Sequence, residues 1–184
     1  FIPGSNSIYC GNDGGVYRST NGGTVWTDFT SGLQITQFYR IGSSVTNPSI
    51  VYAGAQDNGT KRNSSGTWST VGGGDGMECL VDYTSSKIVY ISYQNGNFSR
   101  STNGGASFTG LSTGGGAWVA PMVIDPLVNT TLYFGGTEVK KSTNSGTTWT
   151  NLSSNLTASV NLIALAVAPT NPNYIYAAKY NAIY

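Results

Sequence analysis

The sequence predicts an all-β protein, a β-propeller of four-stranded blades. Three observations predict it. A short motif, Ser-x-Asn-x-Gly-x-x-aromatic, recurs along the chain. Its copies keep a steady period, and strand-like runs flank each copy. The good copies are Ser19-Thr-Asn21-Gly-Gly23-Thr-Val-Trp26, Ser101-Thr-Asn103-Gly-Gly105-Ala-Ser-Phe108 and Ser142-Thr-Asn144-Ser-Gly146-Thr-Thr-Trp149. A worn copy stands at Lys61-Arg-Asn63-Ser-Ser-Gly66-Thr-Trp68. Their aromatic ends, at 26, 68, 108 and 149, are 42, 40 and 41 residues apart. Repeats of about 40 residues with four short strands each are the signature of propeller blades.

The motif reads as the hairpin loop between the third and fourth strand of a blade. Its Asn side chain can accept from backbone N–H groups two or three residues on. Its Gly can take positive φ where the loop reverses. Its aromatic residue opens the outgoing strand and can pack back over the loop. A residue present in every repeat supports the repeat rather than one active site. Structural roles therefore fall to Ser19, Asn21, Gly23, Trp26, Ser101, Asn103, Gly105, Phe108, Ser142, Asn144, Gly146 and Trp149.

In chain order, residues of about 5–30 are expected to form a partial blade, with its second, third and fourth strands at 7–11, 15–19 and 25–29. Full blades follow at 36–71, 77–111 and 118–152, with outermost strands at 67–71, 107–111 and 148–152. Residues 161–184 supply the first three strands of a fifth blade. Ile50-Val-Tyr52, Ile88-Val-Tyr90, Thr131-Leu-Tyr133 and Tyr174-Ile-Tyr176 read as buried central strands. Pro and Asn in Thr46-Asn-Pro48, Asp125-Pro126 and Thr170-Asn-Pro172 set the turns before them. The two partial blades hold the same middle strands and do not complement one another. The chain is therefore expected to be part of a larger propeller.

Composition narrows the function. Charged residues make up 9% of the chain, against roughly 25% in an average soluble domain. A net charge of +1 points to neither nucleic acid nor an anionic membrane surface as partner. No apolar run approaches the roughly 18 residues of a membrane helix, so no membrane insertion is expected. A Thr- and Asn-rich β-protein with so few charges fits an extracellular or cell-surface location. The chain has no histidine, which removes Ser-His and Cys-His catalysis. Cys10 and Cys79 lie two blades apart in the repeat register and read as buried free thiols. With these ligand types so sparse, neither a metal site nor a cofactor is expected.

The motif resembles the Asp-box, or BNR repeat (Ser-x-Asp-x-Gly-x-x-Trp), of sialidases, xyloglucanase-type glycoside hydrolases and sortilin-type propellers. Asn replaces Asp in every copy here; it keeps the acceptor oxygen and loses the charge, so the turn should survive. The runs Gly11-Asn-Asp-Gly-Gly-Val-Tyr17, Gly32-Leu-Gln-Ile-Thr-Gln-Phe-Tyr39 and Gly54-Ala-Gln-Asp-Asn-Gly59 resemble large secreted, glycosyl hydrolase-like proteins of Bacteroidetes-type bacteria. That resemblance implies export by type IX secretion, with the secretion machinery and the remainder of a longer chain as partners. A sialidase would need an arginine triad. Arg18, Arg62 and Arg100 sit at or just before the box, as repeat features, and Arg40 alone makes no triad.

Propeller topology puts the boxes on one face and the second-to-third and blade-to-blade loops on the other, around the central channel. Five of the eight acidic residues are expected on that channel face: Asp13, Asp57, Asp75, Glu78 and Glu138. Asp57 and Asp75, from loops meeting over the second blade, are the candidate catalytic pair, since glycoside hydrolysis needs one carboxyl as acid and another as base or nucleophile. Asp13, Tyr39, Arg40, Glu78 and Trp118 are candidate ligand-binding residues. Tyr39 and Trp118 offer flat faces to sugar rings, and Arg40 is expected to pair with a nearby carboxylate. Against this, Asp-Gly and Asp-Asn-Gly are ordinary turn signatures, so plain turn roles stand beside these for Asp13, Asp57 and Asp75. The expected function is carbohydrate-directed binding within a larger exported protein, with a glycan or protein ligand on the channel face. The alternatives are a glycoside hydrolase using paired carboxylates, and a non-catalytic protein-interaction or adhesin module.

Overall fold

The computed structural model describes residues 4–12, 14–32, 36–154, 156 and 159–184. They form five antiparallel sheets, each a meander in which every strand pairs with the next in sequence. The first contains β1 (Ile8–Asn12), β2 (Gly15–Ser19) and β3 (Thr27–Asp28). The second contains β4 (Phe38–Ser43), β5 (Ile50–Ala55), β6 (Gly59–Ser64) and β7 (Thr67–Gly72). The third contains β8 (Cys79–Val81), β9 (Val89–Tyr93), β10 (Asn97–Ser101) and β11 (Thr109–Gly110). The fourth contains β12 (Met122–Ile124), β13 (Leu132–Gly135), β14 (Val139–Ser142) and β15 (Thr150–Asn151). The fifth contains β16 (Ala164–Val167), β17 (Ile175–Lys179) and β18 (Ala182–Ile183). This is the expected all-β propeller, with three four-stranded blades and two three-stranded ones. A 3-10 turn over Gln94–Gly96 is the one helical element among the described residues, and no helix is long and apolar enough to cross a membrane.

The motif loops share one hydrogen-bond pattern. In the third blade the Ser101 hydroxyl accepts from the N–H groups of Asn103 (3.2 Å) and Gly105 (2.9 Å) and donates to Asn103 Oδ1 (2.9 Å). Asn103 Oδ1 also accepts from the Ser107 N–H at 3.0 Å. Ser19 with Asn21, and Ser142 with Asn144, repeat all four bonds. The Asn thus reaches four residues on rather than two or three. Asn is also active through its nitrogen: Asn103 Nδ2 donates to the Ser107 hydroxyl and Asn144 Nδ2 to the Thr148 hydroxyl. The worn copy lacks the serine, and its Asn63 Oδ1 accepts from the Gly66 N–H. This reach shortens the outermost strands. The N–H of residues 25, 107 and 148 turns into the loop, so β3, β11 and β15 are two-residue strands where five were expected.

Blades join through buried aromatic and aliphatic side chains. Tyr90 and Phe98 of the third blade pack with Met122, Leu132 and Phe134 of the fourth, and Trp149 leans edge-on against Phe134. Ile50 and Tyr52 of the second blade pack with Cys79, Val89 and Ile91 of the third. Each such side chain contributes about 1.5–3 kcal/mol when fully buried. Close backbone approach completes the joint: a Cβ at Gly54 would fall 2.1 Å from the Met77 carbonyl oxygen, so only glycine fits.

Two burial expectations are corrected. Cys79 is a buried free thiol, but Cys10 is free and exposed on β1. Tyr174 and Tyr176 are 61% and 55% exposed, whereas Tyr52, Tyr90 and Tyr133 are buried. The reason is the same in both places. β1 and β17 belong to the first and last sheets, and among the described residues no further sheet packs on their outer faces.

Replacing Ser101 by Ala strips two loop N–H groups of their acceptor. The expected loss is about 2–6 kcal/mol in urea unfolding, from about 1–3 kcal/mol per unsatisfied group. Asn103→Asp keeps Oδ1, and the Ser107 hydroxyl can turn to donate, so its urea midpoint should shift by less than about 1 kcal/mol equivalent.

Candidate functional site on the channel face

Away from the motif loops, the blades present the β5–β6 and β9–β10 connections and the segments entering β4, β8 and β12. The structure joins these into one surface. A β-bulge in β4 lies between Phe38 and Arg40, where the register to β5 shifts. Tyr39 is the extra residue, and bulges re-aim side chains in this way. Its hydroxyl donates to Gln56 Oε1 at 3.1 Å and accepts from the Trp118 indole N–H at 3.3 Å. Trp118 stays 51% exposed, while its backbone carbonyl accepts from the Asn95 N–H. Second, third and fourth blades thus meet at Tyr39 and Trp118, two of the residues expected to face a sugar.

Asp57 and Asp75 are also brought together, through the main chain of one and the side chain of the other. The Asp57 N–H donates to Asp75 Oδ1 at 2.6 Å, and Gln94 Nε2 donates to Asp75 Oδ2 at 2.5 Å. Asp75 is buried; Asp57 is exposed, in a left-handed turn with φ of 56°. Asp75 therefore latches the β5–β6 turn to the β9–β10 turn. Arg40 pairs with Glu78, its Nε lying 3.7 Å from Oε2. Glu78 Oε1 accepts from the Cys79 N–H. Burial pushes the Glu78 carboxyl up to about 7, with Arg40 and the Cys79 N–H pulling the other way. Glu138 takes a different role: its carboxylate accepts from the Ser153 hydroxyl and the Leu156 N–H. Asp13 lies outside the described residues.

Gln94 is expected from the sequence on a second-to-third loop of this face, but its bond to Asp75 is not, and Gln56 is not singled out at all. Both follow the end of a second strand, and that shared position is the only signal for them.

No protein-family model matches the chain, and no curated protein matches it. Solved structures do. An ancestral GH74 enzyme superposes with a TM-score of 0.65 at 21% identity, over 94% of this chain and 26% of its own. The GH74 xyloglucanase from Xanthomonas campestris gives 0.64 at 15% identity, over 96% and 34%. The extracellular domain of a B. thetaiotaomicron hybrid two-component system gives 0.60 at 15% identity, over 98% and 25%. The chain spans about a quarter to a third of the length of these proteins, and the likeness shows the propeller fold.

The Glu78 environment sets a pH dependence. Between about pH 4.5 and 7 the folded protein keeps a proton that the unfolded chain has released, so stability falls as pH rises through that window. With no histidine in the chain, little else titrates there. Urea unfolding from pH 4.5 to 8 should show a loss on the order of 3 kcal/mol, and Glu78→Gln should flatten it.

Proposed function

We propose that this chain is a carbohydrate-binding propeller module of a secreted or cell-surface protein, with its site on the channel face. One observation carries the reading: an exposed indole, Trp118, is held by its N–H on the Tyr39 hydroxyl beside a third polar group, Gln56. A fixed, exposed aromatic face suits the apolar face of a sugar ring, and neighbouring amides and charges suit its hydroxyls. Arg40 and Glu78 supply such charges. The GH74 neighbours, one of them a xyloglucanase, make soluble xyloglucan the first probe. Membership of a longer chain, an Asp-box identity for the motif and export by type IX secretion belong to the same reading and rest on sequence resemblance.

The hydrolase alternative has one observation in its favour. A carboxyl raised to about 7, as in Glu78, can serve as general acid near neutral pH. Asp57 and Asp75 would remain its paired carboxylates.

Affinity electrophoresis in xyloglucan and other neutral polysaccharides decides between these. The protein should be retarded, Trp118→Ala should weaken retardation at least about tenfold, and no reducing ends should appear. Absence of retardation on every polysaccharide would overturn the reading. Reducing ends lost in Asp57→Asn or Asp75→Asn would replace it with the hydrolase.

A further inference from the structure

The two central blade joints differ at one polar contact on the motif-loop face. Tyr52 pairs across the sheet with Arg62, and Tyr90 with Arg100, so these are equivalent positions. The carbonyls of Gly104 and Ser145 are likewise equivalent within their motif loops. At the joint of the third and fourth blades, Arg100 Nη1 donates to the Ser145 carbonyl at 2.8 Å. At the joint of the second and third, the Tyr52 hydroxyl takes the Gly104 carbonyl instead, also at 2.8 Å. Arg62 makes no carbonyl bond of this kind among the described residues, although both arginines lie against the hydroxyl of their paired tyrosine. The Arg62 Nε is buried with no hydrogen-bond partner among the described residues.

Arg62 opens onto a crevice of about 470 Å³ between the two blades. Lys87 also lines it, where the equivalent loop position in the next blade is Thr130. Ser69, Ser86 and Asn103 add hydroxyl and amide groups, and no acidic side chain lies among the lining residues. A guanidinium and an ammonium without a carboxylate between them select an anion, and a guanidinium matches a carboxylate bidentately. The volume falls within the roughly 300–1,000 Å³ of small-ligand sites.

We propose that this crevice is a second binding site, on the face opposite the channel, for a carboxylate-bearing sugar such as a uronic acid residue. The selection of an anion stands on the crevice alone; naming a saccharide as its bearer rests on the carbohydrate reading above.

The test is an amide chemical-shift titration of the full protein with a galacturonate oligosaccharide, its neutral galactose counterpart and inorganic phosphate. The uronate should shift the amides of Ser86 and of residues 103–106, and the neutral sugar should not. Arg62→Gln and Lys87→Gln should each weaken binding at least about tenfold. Lys87 is exposed, so its variant remains informative if Arg62→Gln fails to fold. Lys179→Gln, the same charge change in the fifth blade, should leave binding unchanged. Three results would each overturn the proposal: no shift at these amides, phosphate binding as tightly as the uronate, or equal weakening by Lys179→Gln. Neutral polysaccharides failing at the channel face while the uronate still shifts these amides would defeat only the earlier reading.

Discussion

A buried serine hydroxyl holds this structure's repeats in shape. In three blades it accepts two loop N–H groups and donates to an asparagine oxygen, which in turn takes a third N–H. One side-chain pair thus satisfies three backbone donors in a loop of five residues. The consequence is not only local. The loop so fixed presents the carbonyl of Gly104 or Ser145 to the preceding blade, where Tyr52 or Arg100 donates to it. The same loops also bond back to their own sheets, through Gly104 N–H to Lys87 and Ser145 N–H to Thr130. A turn motif becomes a joint between blades, and the hydrophobic contacts of Tyr90, Phe98, Met122 and Phe134 are set by where that joint stands.

The other face escapes this constraint, although left-handed residues occur on both, Ser65 and Ser145 standing in the motif loops. The bulge at Tyr39 and the left-handed residues Asp57 and Asn95 all lie on it. Its cohesion comes from contacts that no two blades share: Asp75 with Gln94, Tyr39 with Gln56 and Trp118, Arg40 with Glu78. Repetition fixes the scaffold on one face and leaves the other to vary, the usual division in proteins whose loops carry function.

What could be read from the sequence follows the same division. The motif period and the Ile-Val-Tyr runs made the five sheets of this chain, their strand order and most of the core legible, because all are imposed by local chemistry repeated in every blade. Asn21, Asn103 and Asn144 could be assigned a turn role from their type alone, but not their four-residue reach, which depends on the serine two positions earlier. The outward exposure of Cys10, Tyr174 and Tyr176 was not legible, since burial there depends on what packs against the first and last sheets. On the channel face, the convergence of Asp57 and Asp75 could be foreseen from loop position. The latch through Gln94 could not, because it ties the β7–β8 connection to the β9–β10 turn across 19 residues. The different bonding of Arg62 and Arg100 was hidden for a further reason. It shows only when two joints are compared atom by atom, and in sequence Arg62 and Arg100 look alike.

The most direct measurement of the central claim is native-state hydrogen exchange at the Gly105 and Gly146 amides. If the serine hydroxyls hold these loops, both amides exchange as slowly as those of β10 and β14, although they lie in turns. Exchange at the rate of open loops, with β10 and β14 still protected, would mean that the strands hold the blades without the motif, and the account would fail.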